Sequence, residues 1–299
     1  MTTPYETVID SSDRAAWLEA RRTGIGASDS PVLLGLSTYS SPVQLWAEKV
    51  GRTVSDDSEQ TDRQRWGIKL EPLVAEEYER QTGRQLNRWA TLVRSTRWPF
   101  MLATPDYSTF IDGIHAPVEI KTTDHSRASD WADGVPDRVN VQLQHQLAVL
   151  DAPMASVGLL VGGNTFRWAD VPRDEKVIKH IIESARGFWQ LVADEILPSV
   201  DDGDVDALKR LYPVATPGKS ILLPGHAIAW AEELAAAKAE KGEAEIRVKL
   251  VEAQLRAAMG DAEVGEMADG SPPFTLRTTT RKAYSVAATT YRALRRAGE

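Results

Sequence analysis

Val118-Glu119-Ile120-Lys121 lies in an apolar run and sets a carboxylate and an amine two residues apart. Side chains of a β-strand alternate between faces, so Glu119 and Lys121 project together while Ile120 turns the other way, into the sheet. A carboxylate that can hold a divalent cation, beside a lysine that can steer a water, is what metal-dependent cleavage of a phosphodiester needs. The stretch predicts a central strand with chemistry on one face and core on the other.

Residues on either side supply partners for such a site. Asp106 follows Thr104-Pro105 and precedes a short hairpin, Tyr107 to Pro117, that returns the chain to Glu119. Two carboxylates on adjacent strands joined by a tight turn can converge on one cation, and Mg²⁺ takes such oxygens while keeping several waters. Asp112 competes for that role. Asp106 is preferred because Asp112-Gly113 is also ordinary hairpin-turn chemistry, but the spacing leaves both open. Glu71 precedes Pro72, and proline disfavours helical backbone at the residue before it. The regular helix is therefore expected to begin near Pro72, with Glu71 at its mouth. Gln142, Gln144, His145 and Gln146 fall on one predicted helix, where Gln142 and Gln146, four apart, share a face. Amides there could orient water or touch a phosphate.

A second constellation is Arg21-Arg22-Thr23-Gly24-Ile25-Gly26-Ala27-Ser28-Asp29. Exposed amides, Ser28 and the positive end of a helix dipole would hold a phosphate, with Arg21 or Arg22 as its clamp. It is no Walker loop, since it lacks the Gly-Lys-Ser/Thr ending.

Composition bounds the possibilities. With 299 residues, 42% hydrophobic and 26% charged, the chain has room for one substantial core and an accessory region. No apolar run approaches the ~20 residues that span a bilayer, and the first residues lack the basic flank and apolar core of a signal peptide. Without cysteine there is no disulfide, thiolate nucleophile or cysteine-bound cluster, which points to the cytoplasm. Five scattered histidines show no zinc-ligand spacing. The formal charge of -8 speaks against a protein that coats nucleic acid, yet it allows an enzyme that confines basic groups to a channel.

Asp13 to about Gln44 reads as two short helices around the Thr23–Ala27 turn, with Ser12 and Asp13 able to cap the first. Ser41-Pro42 caps a helix over 43–50. A polar stretch from Arg52 to Arg63 precedes an amphipathic helix from Arg65 to Thr82, stopped by Gly83. Strands are predicted over 86–93, 100–106, 118–122, 155–161 and 165–171, and helices over 139–150 and 174–193. The order predicts an α/β fold, a mixed sheet flanked by helices. The core spans 1–200, followed by a linker over 201–225 rich in Asp, Pro and Gly. An accessory region over 226–299 holds a long helix, His226 to Met259, and a small hairpin around Asp269-Gly270 with Phe274, Leu276 and Thr278 alternating. Arg277, Arg281, Lys282, Arg292, Arg295 and Arg296 make the tail basic.

The pieces also occur in a telling order: Arg22 to Asp29, Ser41-Pro42 with Leu45-Trp46, Leu70-Glu71-Pro72, Pro105-Asp106, Glu119-Ile120-Lys121 and Gln142 to Gln146. Over about Asp13 to Asp194 this resembles the YqaJ-like viral recombinases, relatives of the phage lambda exonuclease among the PD-(D/E)XK nucleases. The resemblance implies a restriction-endonuclease-like core and a Mg²⁺-dependent exonuclease, with Mn²⁺ as an alternative ion. Such an enzyme degrades one strand of linear duplex DNA from its 5′ end and passes the 3′ overhang to a single-strand annealing protein. It implies Glu71, Asp106, Glu119 and Ile120 as the metal-binding set, Lys121 as the residue placing the nucleophilic water, and Gln142 as a catalytic polar group. Arg21 or Arg22, with Ser28, would contact the 5′ phosphate, and the chain would form a ring-like homo-oligomer, a trimer. Two rivals stand beside this reading: a sequence- or structure-specific endonuclease on the same core, and a catalytically inactive DNA-binding or assembly module.

Overall fold

The computed structural model describes residues 3–10, 13–52, 61–283, 288 and 291–294. Ser12, the segment 53–60 within the polar stretch, and Arg295 and Arg296 of the basic tail lie outside the described residues. The chain divides into two units, Met1–Pro213 and Val214–Glu299.

The first unit opens with β1 (Tyr5–Asp10), α1 (Arg14–Arg21), β2 (Ile25–Gly26), a 3₁₀ turn over Ala27–Asp29, α2 (Ser30–Leu33) and α3 (Pro42–Lys49). After α4 (Asp62–Thr82) come β3 (Asn87–Arg88), β4 (Thr91–Ser95), β5 (Met101–Ala103) and the hairpin of β6 (Tyr107–Ile111) and β7 (Ile114–Thr123). Then follow α5 (Asp137–Leu150), β8 (Met154–Val161), β9 (Thr165–Pro172), α6 (Glu175–Ala193) and α7 (Val205–Leu211). Two mixed sheets result, in the orders β1-β4-β5-β2 and β3-β6-β7-β8-β9. The expected α/β class, with mixed sheets flanked by helices, is the observed one.

The larger sheet is built around β7. It pairs antiparallel with β6 and parallel with β8, Glu119 opposite Val157 and Lys121 opposite Leu159. Its alternation sorts two faces, as the period-two pattern requires. Val118 and Ile120 pack with Val74, Ala75 and Tyr78 of α4. Gly158 on β8 allows that close approach: a Cβ there would lie 3.1 Å from Ile120 Cδ1 and 3.2 Å from Tyr78 Cδ2. On the other face, Val157 and Leu159 share a core with Leu143 and Leu147 of α5. Asp112 and Gly113, with φ of 50° and 80°, form the two-residue turn between β6 and β7. Asp112 is therefore at the hairpin tip, away from Glu119.

Several local expectations are corrected. The helix does not begin near Pro72. A capping box of Thr61 and Gln64 starts α4 at Asp62, and the helix runs through Pro72. Proline there removes only the bond to the Ile68 carbonyl, on a turn where Ile68 and Leu73 are exposed, so water can replace it. The Thr23–Ala27 turn contains β2, which pairs parallel with β5. Gly24 permits the crossing, because a Cβ would meet the Phe100 carbonyl oxygen at 2.9 Å. The linker expected over 201–225 is helical in its first part. Asp201 and Asp204 cap each other's backbone, Asp204 and Ala207 are buried, and α7 belongs to the first unit.

The second unit holds α8 (Ala227–Met259), ended by Gly260 at a φ of 57°, and a minimal hairpin of β10 (Val264–Gly265) and β11 (Phe274–Thr275). No residue of α8 is buried within that unit. Among the described residues no helix is long and apolar enough to cross a membrane.

Candidate active site

Strand alternation delivers Glu119 and Lys121 to the α5 side of β7, and α5 meets them with two amides. Glu119 is only 4% exposed. Its Oε1 accepts hydrogen bonds from Lys121 Nζ at 2.7 Å and Gln142 Nε2 at 2.5 Å, and its Oε2 accepts from Gln146 Nε2 at 2.8 Å. Gln142 and Gln146 are one helical turn apart, so they reach the two oxygens of one carboxylate.

Asp106 stands just before β6, whose pairing with β7 starts at Tyr107 opposite Val118. The backbone of Ile120 on that edge has no strand partner, and Asp106 Oδ2 accepts its N–H at 2.8 Å. Within a strand, the N–H and C=O of one residue leave along the same edge. The Ile120 carbonyl is accordingly directed to the side where Asp106 sits. Glu71 comes from α4, beside Tyr107 and within electrostatic reach of Glu119 and Lys121.

The charges bear on one another. Burial, and then the Glu119 carboxylate, push the Asp106 carboxyl well above its usual range. Burial also raises Glu71, with Arg88 pulling the other way. Burial works to discharge Lys121, but Glu119 and Asp106 outweigh it and hold the ammonium above the ordinary lysine range. Burial and the neighbouring Glu119 carboxylate disfavour ionisation of Asp106, a penalty that a bound cation would relieve. Among the described residues no three His, Cys, Asp or Glu side chains close into a metal cage. Mg²⁺ does not need one: it binds through one or two carboxylates, retains waters and shares substrate phosphate oxygens. Asp106 and Glu119, with the Ile120 carbonyl, fit that requirement in donor chemistry.

The two arginines of the glycine-rich turn diverge. Arg21 Nη2 donates to Ser28 Oγ at 3.0 Å, and both residues line a cavity of about 300 Å³ shared with Asp106, Glu119, Lys121 and Gln142. Arg22 points elsewhere. Its Nη1 donates to Glu19 Oε2 at 2.8 Å, and its guanidinium packs so closely on Gly51 that a Cβ there would stand 1.9 Å from Nη2. A neighbouring cavity of about 220 Å³ shares Ser28, Lys121 and Gln142 and adds Tyr39, Trp131 and Arg138.

Sequence reasoning missed the supports. Lys49, buried in the last turn of α3, lies 2.7 Å from Asp29 Oδ2 and donates to the Arg21 carbonyl at 3.0 Å. Asp29 also accepts the Gly26 N–H at 2.8 Å, which fixes the turn carrying Ser28. His145 Nε2 donates to the Leu102 carbonyl at 3.0 Å, so in its neutral form Nδ1 accepts from Ser30 Oγ at 2.6 Å. That pair ties α2 and β5 to the helix of the two amides. A helix-end lysine and a lone histidine give no sign in sequence of such partners. Gln146 did leave one, its four-residue offset from Gln142.

Comparison with known proteins places these residues in a family. A model of the YqaJ-like viral recombinase domain matches residues 16–153, which include every side chain just described. Over 261 residues the chain is 32% identical to protein YqaJ of Bacillus subtilis (strain 168), covering 84% of this chain and 80% of that one. The chain belongs to the YqaJ-like viral recombinase family. Solved structures similar to this YqaJ-like chain include an alkaline exonuclease, LHK-Exo, from Laribacter hongkongensis. It shows a TM-score of 0.49 and 18% identity, over 66% of this chain and 96% of that one. A phage-related exonuclease from Haemophilus somnus 129PT is also similar, with a TM-score of 0.38 and 13% identity over 57% and 96% of the two chains.

Proposed function

We propose that this YqaJ-like protein is a divalent-metal-dependent exonuclease of the PD-(D/E)XK type. It would shorten one strand of linear duplex DNA from a phosphorylated 5′ end and leave a 3′ single strand. The observation that carries the reading is the shared cavity, in which Glu119, Lys121 and Asp106 face Arg21 and Ser28.

Asp106, Glu119 and the Ile120 carbonyl would hold Mg²⁺ or Mn²⁺, with Glu71 adding negative charge from α4. The bound ion supplies charge stabilisation at the scissile phosphate. Lys121, kept as an ammonium by its two carboxylate neighbours, donates a hydrogen bond that fixes the attacking water against the phosphorus. Gln142 donates to Glu119 and holds that carboxylate in the cavity wall. Arg21, aimed by its contacts to Ser28 and Asp29, clamps the terminal phosphate and so selects the end of the strand. Contacts to phosphate rather than to base edges make binding salt-sensitive and largely indifferent to sequence. A ring-like homotrimer around the duplex, and a single-strand annealing protein that receives the overhang, complete the proposal.

The test is digestion of linear duplex with a 5′ phosphate or a 5′ hydroxyl, in Mg²⁺ and in EDTA, beside closed circular DNA. The reading expects Mg²⁺-dependent loss of the linear substrate, faster with a 5′ phosphate than with a 5′ hydroxyl, while the closed circle stays intact. Cutting of the circle would favour an endonuclease, and a mobility shift without metal-dependent cleavage would favour a binding module.

A further inference from the structure

Gln146 is a buried polar side chain to which the proposed reaction assigns no part. It is fully enclosed in α5. Its Nε2 donates to Glu119 Oε2 at 2.8 Å, while its own Oε1 is buried with no hydrogen-bond partner among the described residues. Turning the amide over would set its oxygen against a carboxylate oxygen, so the contact with Glu119 fixes its orientation. Methionine or leucine would fill this core position without an orphaned acceptor, and a buried unpaired acceptor costs stability. A sequence that keeps the amide at that cost breaks a packing rule, and such breaks mark functional positions.

The neighbourhood indicates which function. Gln142 and Lys121 hold Oε1 of Glu119, and among the described residues Gln146 alone holds Oε2. Without Gln146 the carboxylate would be fixed at one oxygen and free to turn about its Cγ–Cδ bond. Partners that hydrogen-bond a metal-ligating carboxylate set its orientation and with it the affinity for the ion. We propose that Gln146 is a positioning residue that fixes the plane of the Glu119 carboxylate and thereby sets the divalent-cation affinity of the site. The inference rests on the reading of Glu119 as a metal ligand.

The experiment uses the full chain and the variants Gln146→Met, Gln146→Asn and Glu119→Ala. Mn²⁺ affinity is measured by calorimetry without DNA, and digestion is measured across a Mg²⁺ series. Both Gln146 variants should weaken Mn²⁺ binding by about 10–100-fold. The half-saturating Mg²⁺ concentration should rise in step, and the rate should recover at high Mg²⁺. Gln146→Met removes the orphaned oxygen but also the donor to the buried Glu119 carboxylate, so a metal-free thermal melt establishes that the variant is folded before its Mn²⁺ affinity is read. Unchanged Mn²⁺ affinity in folded Gln146→Met, with binding lost in Glu119→Ala, overturns the role of Gln146 and leaves Glu119 in place. Failure of both Gln146 variants to fold also overturns it, since the residue is then structural. Parental Mn²⁺ affinity in Glu119→Ala is instead the failure of the underlying reading.

Discussion

The Lys121 ammonium stands 2.7 Å from Oε1 of Glu119, two residues earlier on the same face of β7. That pair divides two roles that a single substitution can separate. Lys121→Met removes the proposed donor to water but keeps the carboxylates, so digestion should fall by about 100-fold or more while Mn²⁺ binding stays at least as tight. Glu119→Gln should lose both. Calorimetry beside digestion checks this, and a Lys121→Met variant of parental rate would contradict it.

Arg21 and Arg22 are adjacent in sequence yet face different surroundings. Arg21→Ala should cost a charge-assisted contact worth about 1.5–3 kcal/mol, or roughly 10–100-fold in KM for 5′-phosphorylated ends. It should leave 5′-hydroxyl ends nearly unaffected. Arg22→Ala should alter neither. Steady-state digestion of paired substrates with the two end groups measures the difference.

His145 links pH to stability. Its burial lowers its pKa to about 4, whereas an unfolded histidine titrates near 6.5. Between those values the unfolded chain binds more protons, so stability rises with pH. The contribution is fully present above about pH 6.5 and lost as pH falls toward 4, a loss of about 3 kcal/mol. Urea midpoints from pH 4 to 8 should therefore slope less in His145→Gln than in the parent. Equal slopes would contradict the assignment.

Lys49 and Asp29 form a buried ion pair beneath the turn that carries Ser28. Lys49→Met leaves the Asp29 carboxylate buried without its ammonium and should destabilise by about 3–5 kcal/mol. Adding Asp29→Asn should restore much of that loss. Chemical unfolding of the single and double variants measures the coupling.

The sequence carried the strands more plainly than the supports. Period-two alternation around Ile120 placed Glu119 and Lys121 on one face, and Asp112-Gly113 marked the turn that brings Asp106 back to β7. Gly83 marked the end of α4. The start of α4 was hidden because Pro72 obeys local backbone rules that a long, well-capped helix can override at one solvent-facing turn. β2 was hidden because two residues show no periodicity, and α7 because capping aspartates resemble linker composition. The contacts of Lys49 and His145 depend on partners 20 and 115 residues away, at Asp29 and Ser30, and such distances leave no local trace, whereas Gln146 showed itself in its four-residue offset from Gln142.

Glu119 and its neighbours are proposed to cut one strand of a DNA end. The most direct measurement is a strand-resolved digestion of linear duplex labelled separately at each end of each strand, with Mg²⁺, for the parent and Glu119→Ala. The 5′-phosphorylated strand should shorten from its 5′ end while its complement stays intact, and Glu119→Ala should leave both strands whole. Equal loss of both strands, or digestion by Glu119→Ala at the parental rate, would contradict that proposal.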